Sequence, residues 1–327
     1  MSEPRRYHSV LADAMHEFLS YKRALGRRFA TEERQLLLLD RFLVERRVGA
    51  LDEIGPELLD QFLLSRRHRV PKSYNSLLGV VRRLLDWMVG QEMLARSPLR
   101  ARPRRETGSR VPVIFDPPLV RALLDLALQL PERSRAPLRG ATYRMAFALM
   151  YGLGLRAGEA SRLQVGDLDL AQRLLWIRQS KFGKTRQLPV GPHLADALRE
   201  FLALRHARWG PSEPSAPLLT FNGLRPVSAN RISSTFQLLM PRLGFLTHAH
   251  HQPRAHDLRH SFAVGTLLRW YREGYAPGDR LIYLSAFLGH AGIHSTAVYL
   301  TITADLLGQA SRRFEPFAAE ALGKARR

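Results

Sequence analysis

The chain has 327 residues, 45% hydrophobic and 9% aromatic, with no cysteine; 50 Lys plus Arg against 29 Asp plus Glu leave a net charge of +21. That length accommodates two domains with cores of their own, and the composition excludes wholesale disorder. The lack of cysteine excludes disulfides and thiolate metal sites. No run approaches a membrane span and the opening MSEPRRYHSV has no signal-peptide core, so the expectation is a soluble cytoplasmic protein.

The basic excess runs along the whole chain: residues 1–110 hold 22 basic against 14 acidic side chains, and the remainder holds 28 against 15. Positive charge spread this widely fits a long polyanion, a nucleic acid, better than a small anionic ligand. Only five of the basic residues are lysine (Lys22, Lys72, Lys181, Lys184 and Lys324), so the pair Lys181 and Lys184 stands out.

In chain order, residues 8–25 carry a helical apolar stripe at Val10, Leu11, Ala14, Met15, Phe18 and Leu19, and 32–47 repeat the pattern until Gly49. Gly55-Pro56-Glu57 opens a third helix, proline being tolerated at the first helical position, and Pro71 to Gly90 make a fourth. Residues 1–96 thus read as a small all-helical module. Residues 97–112, SPLRARPRRETGSRVP, have three prolines and five arginines and read as a basic surface linker lying along phosphates. Arg100, Arg102, Arg104 and Arg105, with Lys72 on the fourth helix, are the candidate DNA contacts.

Residues 113–327 form the second domain. Helices are expected at 117–130, 140–151, from about Arg156, and at about 192–207, 228–242, 256–273, 279–288 and 295–307. LLWIRQS (174–180) and TRQLPV (185–190) flank Lys-Phe-Gly-Lys as a β-hairpin. The fold class is therefore mainly α with a small β-hairpin or sheet: a four-helix module followed by an α+β domain that ends in a basic tail.

Four stretches of the second domain carry chemistry. In GLGLRAGEASRL, Arg156 and Glu159 lie three apart and can pair on one helical face; alone, such a pair reads as a solvated surface. The hairpin turn presents Lys181 and Lys184, ordinarily mere exposed charge. In HDLRHSFA, His256, Arg259 and His260 share a face that is costly to bury unless it meets an anion. Five histidines between 248 and 260 raise a metal site, but there is no HExxH and the surroundings are positive, so no metal and no cofactor are expected. In LGHAGIHSTAVYL, His290 and Tyr299 are nine residues apart, which on one unbroken helix puts them on opposite faces. A break at Ala291-Gly292 and a restart capped by Ser295 or Thr296 would let them converge.

Taken together, the inventory suits metal-free attack on a phosphodiester: guanidinium groups to neutralise the non-bridging oxygens, a lysine for the leaving oxygen and a phenol to form a covalent phosphoryl intermediate. In their order along the chain these stretches resemble the tyrosine recombinases, the phage integrase family. The marks are Arg156 with Glu159 in a GLR-x-x-E turn, the hairpin Lys181, His256 and Arg259 in H-x-L-R-H, His290 in L-G-H and the following Tyr299. The resemblance covers about 110–310, and residues 1–96 are similar to the family's core-binding domain.

The resemblance implies a site-specific recombinase that needs neither metal nor ATP. Tyr299 would be the nucleophile forming a 3′-phosphotyrosyl bond, and Arg156 and Arg259 would hold the phosphate. Lys181, with Lys184 as competitor, would be the general acid. His256 would assist proton transfer, His290 would hydrogen-bond the phosphate, Glu159 would orient its neighbours and His260 would support. It further implies four protomers on two DNA duplexes and admits accessory recombinases. The segment between Arg259 and His290 is longer than the usual family pattern and is more similar to transposon-associated members. Two rival readings are a DNA-binding, excision-directing factor without chemistry and a type IB topoisomerase.

Overall fold

The computed structural model describes residues 6–26, 29–65, 71–106, 111–178, 185–245, 252–290 and 292–301. The chain divides into two compact units, Met1–Ser109 and Arg110–Arg327.

The first unit packs α1 (Ala12–Ala24), α2 (Ala30–Glu45), α3 (Pro56–Leu64) and α4 (Pro71–Gly90) around one core. The stripe expected on α1 is buried at Ala14, Met15, Phe18 and Leu19. Phe29, held at φ 49°, turns the chain into α2 and lays its ring edge-on to Phe18. Pro56 starts α3 after Gly55, where its missing N–H is no loss. Beyond α4 the chain has no helix or strand through residue 106, as its prolines dictate, yet it is tied down. Leu99 and Ala101 pack on the core, and the Asn75 side chain both donates to the Arg104 carbonyl and accepts from its N–H, at 2.8 and 2.7 Å. The Arg104 guanidinium lies 4.0 Å over the Tyr74 ring. Lys72, Arg100, Arg102, Arg104 and Arg105 are all exposed.

The second unit is built around α6 (Arg139–Gly152), which buries residues on every side. It packs against α5 (Pro117–Leu128), α7 (Ala157–Arg162), α8 (Pro192–Trp209), α9 (Ala229–Leu239) and α10 (Ala255–Arg272). The expected hairpin is β2 (Leu174–Ile177) paired with β3 (Arg186–Pro189), in register Leu175 to Leu188. A two-residue strand β1 (Leu168–Asp169) adds to β2, giving a three-stranded antiparallel sheet. Lys181 and Lys184 lie outside the described residues. The unit continues with α11 (Pro277–Leu288), α12 (His294–Ala297) and a 3₁₀ turn over Val298–Thr301. The restart after His290 therefore comes earlier than expected: Ile293 occupies the cap position, and Thr296 is buried inside α12. The fold is mainly helical with a small antiparallel sheet.

Candidate active site

Three guanidinium groups meet at one carboxylate. Glu159 stands in the first turn of α7, where its Oε2 accepts from the Arg156 N–H at 3.0 Å as half of a capping box. Oε1 accepts from Arg156 Nη1 at 2.7 Å. Arg186, on β3, forks onto both oxygens at 3.1 and 3.0 Å, and Arg259 Nη1, from α10, lies 3.8 Å from Oε2. Side-chain exposure grades from 28% at Arg156 through 11% at Arg186 to none at Arg259, so the cluster is open on the Arg156 side.

The other wall is the end of α11. The last carbonyls of a helix lack partners and carry the negative end of its dipole. Here the Phe287 carbonyl accepts from Arg186 Nε at 2.8 Å and that of Leu288 from Arg259 Nη2 at 2.7 Å. Arg156 Nη2 reaches the Gly289 carbonyl at 3.3 Å. Gly289 has φ 65°, and a Cβ there would stand 2.7 Å from Arg186 Nη1, so only glycine allows this approach. Gly154, at φ 61°, plays the matching part on the opposite side. Its carbonyl accepts from Arg259 Nη1 at 2.6 Å, and a Cβ would press on Phe262 and Leu288. The second glycine of GLGLR and the glycine of LGH are thus explained by positive φ and close packing at the walls of the arginine cluster.

Three cations share one anion, and the protonation equilibria register it. Burial would raise the Glu159 pKa; the hydrogen bonds from Arg186 and Arg156 and their charges outweigh it and hold Glu159 down at about 2. Arg259 is lowered to about 10, by burial first and by Arg156 second. Its Nε is buried with no hydrogen-bond partner among the described residues. A buried orphan donor on a cation is expensive to leave unmade.

Tyr299 closes the site. It lies in the 3₁₀ turn after α12, buried in a cluster with Ala263, Val264, Leu267, Leu281, Leu284 and Leu288. Burial raises its pKa, while the charges of Arg259 and Arg156 pull it down. His260 Nδ1 lies 3.0 Å from the phenol oxygen. The His290 ring lies nearly parallel to the Tyr299 ring, centroids 6.3 Å apart, and its Nδ1 is 2.7 Å from Thr296 Oγ1. His256, one turn before His260 on α10, meets it edge-on at 4.7 Å. His256 and His290 are both pushed down to about 4, by burial first and then by neighbouring cations and imidazoles.

Arg156, Glu159, His256, Arg259, His260, His290 and Tyr299, expected from the sequence, thus come together. Arg186 was not among them. Its signal was the arginine of TRQLPV two residues after Lys184, hidden because arginine supplies all but five of the 50 basic residues. Thr296, expected as a cap, instead holds His290.

A partly buried cluster of arginines near a buried tyrosine on a mainly helical domain defines a class, and comparison with known proteins names it. The sequence profile of the phage integrase family matches residues 127–305. A Sinorhizobium fredii protein named "Putative integrase/recombinase y4rB" is 31% identical over 313 residues, covering 94% of this chain and 98% of that one. Tyrosine recombinase XerC of Proteus mirabilis is 28% identical, covering 89% of each chain. In fold, the chain is similar to the Tn1549 transposon integrase in complex with transposon right end DNA, with TM-score 0.63, 17% identity and coverage of 94% and 99%. It is similar also to a lambda integrase dimer bound to a COC′ core site, with TM-score 0.64, 15% identity and coverage of 90% and 78%. The chain belongs to the phage integrase family, the tyrosine-type site-specific recombinases.

Proposed function

We propose that this recombinase cuts and rejoins double-stranded DNA through a covalent 3′-phosphotyrosyl bond on Tyr299, without metal or ATP. The observation that carries the reading is the convergence of Arg156, Arg259 and the Tyr299 phenol from three separate segments on one buried centre. Pentavalent phosphorus bears extra negative charge on its non-bridging oxygens, and two guanidinium groups supply fixed donors for it. The orphan Nε of Arg259 is a donor that a phosphate oxygen would satisfy.

A phenol with the ordinary pKa of about 10 is ionised roughly one time in a thousand at pH 7, a penalty of about 4 kcal/mol, and burial adds to it here. The proton therefore leaves as the oxygen–phosphorus bond forms, while the cations stabilise the developing charge. Lys181, with Lys184 as competitor, protonates the departing 5′ oxygen. His256 assists proton transfer, His290 hydrogen-bonds the phosphate, and Glu159 holds the arginines. The phosphotyrosyl bond keeps the energy of the broken linkage, so a 5′ hydroxyl from a second duplex can rejoin it. Four protomers on two duplexes, with accessory recombinases where needed, are the assembly this reaction calls for. The exposed Lys72, Arg100, Arg102, Arg104 and Arg105 contribute phosphate contacts. The relatives' names as integrases and recombinases support the same reading.

The test is a nicked duplex that traps the covalent intermediate by losing its 5′ hydroxyl fragment. Wild type should form a protein–DNA adduct in EDTA, and Tyr299→Phe should bind the duplex and form none. An adduct from Tyr299→Phe, or dependence on Mg²⁺, would contradict the proposal. Supercoil relaxation without strand exchange would select the topoisomerase reading.

A further inference from the structure

The reaction needs something to accept the Tyr299 proton. Glu159 is unsuited, because both of its oxygens are occupied by Arg156 and Arg186. Among the three imidazoles, His290 has its Nδ1 on Thr296 Oγ1, and its ring lies nearly parallel to the tyrosine ring. His256 faces His260 rather than the phenol. His260 alone among them has a ring nitrogen within hydrogen-bond distance of the phenol oxygen, at 3.0 Å. Its position is fixed by α10, and it follows directly on Arg259, whose guanidinium is clamped by the carbonyls of Gly154 and Leu288. One helical turn therefore presents a cation for the phosphate and a base for the nucleophile.

We propose that His260 is the catalytic base that takes the Tyr299 proton during strand cleavage and returns it during rejoining. The inference rests on Tyr299 being the nucleophile. In the competent state His260 is neutral, with its proton on Nε2 and the Nδ1 lone pair facing the phenol. As Tyr299 attacks, its O–H bond breaks and the proton passes to Nδ1. The phenol oxygen bonds to phosphorus, the bond from phosphorus to the 5′ oxygen breaks, and that oxygen takes a proton from the general acid. In the reverse direction the imidazolium protonates the departing tyrosine oxygen. His256 then acts from behind His260, edge-on to it, and not on the phenol.

The test uses the full chain and the nicked trapping duplex under single-turnover conditions. His260→Asn puts an amide of matching reach where Nδ1 stands and removes the basicity. Duplex affinity should be unchanged, and cleavage should fall about 100-fold, a typical loss for a general base. Replacing Tyr299 by 3,5-difluorotyrosine makes the phenol more acidic and less dependent on a base, so the His260→Asn defect should shrink at least tenfold in that background. A merely structural role would leave the defect unchanged. The same pair of measurements on His260→Ala covers the case in which His260→Asn melts early. Cleavage by these variants within about threefold of wild type, or a defect indifferent to fluorination, would overturn the proposal. Loss of the nucleophile assignment itself would show separately, as an adduct surviving Tyr299→Phe.

Discussion

Each unit contains a buried tyrosine and a carboxylate that gathers arginines, and the two centres differ in what surrounds the phenol. In the first unit Glu33 accepts from Arg6 and Arg23, both half-exposed, and the buried Tyr7 phenol has no hydrogen-bond partner among the described residues. Burial raises the Tyr7 pKa to about 12, with the negative charge of Glu33 the next cause, while Arg6 and Arg23 pull it down. In the second unit burial also raises Tyr299, but every charge that follows lowers it. The Glu159 carboxylate is turned to the arginines, and the phenol is turned to a histidine and to Arg259. Both phenols are raised by burial, but the charges around Tyr299 favour its ionised form whereas Glu33 disfavours that of Tyr7. Both carboxylates face arginines; the difference lies in the charge next to the phenol, Glu33 at Tyr7 and Arg259 at Tyr299.

That contrast can be broken at several points. Glu159→Ala leaves three packed cations without their anion, so stability should fall by about 3–5 kcal/mol; Glu33→Ala, whose arginines reach solvent, should cost about 1 kcal/mol, both read from denaturant unfolding. Arg259→Ala should slow adduct formation about 10²–10³-fold, roughly 3–4 kcal/mol of transition-state stabilisation, with Arg6→Ala as the control that cleaves normally. Arg186→Ala removes two bonds from Glu159 and one from the end of α11 and should cost about 1–3 kcal/mol of stability. Near-wild-type unfolding of that variant would remove Arg186 from the frame of the site.

Acid should act on the second centre through its histidines. His256, held down at about 4, is neutral in the fold and free to protonate near 6.5 in the unfolded chain. Its contribution is therefore fully present above pH 6.5 and is lost as pH falls through 4. The melting temperature of DNA-free protein should decline over that window, and His256→Gln should flatten the decline. Glu159 adds a second loss, as pH falls from the ordinary 4.5 through about 2. The smallest effect belongs to Tyr7→Phe, which removes an unpartnered buried hydroxyl and should change stability by no more than about 1 kcal/mol, in the stabilising direction.

Most helices were legible because their apolar stripes face a core. Pro71 to Gly90 was expected and is found, with Tyr74, Leu77, Leu78 and Leu84 buried. The strand β1 was invisible, since two residues carry no period. The site was legible as residue types in order, Arg156 to Tyr299, but its geometry was not. That the carbonyl end of α11 would serve as a second anion for Arg156, Arg186 and Arg259 depends on where a helix of distant sequence stops. Thr296 misled because a threonine before a helix usually caps it, whereas here its hydroxyl reaches back to His290.

The central claim is that the Tyr299 oxygen becomes bonded to DNA phosphorus. Digesting the trapped wild-type adduct and identifying the modified peptide by mass tests it directly. The account predicts a single nucleotide-bearing tyrosine, Tyr299, joined to the 3′ phosphate with a free 5′ hydroxyl on the other fragment. Attachment through any other residue, or to a 5′ end, would contradict it.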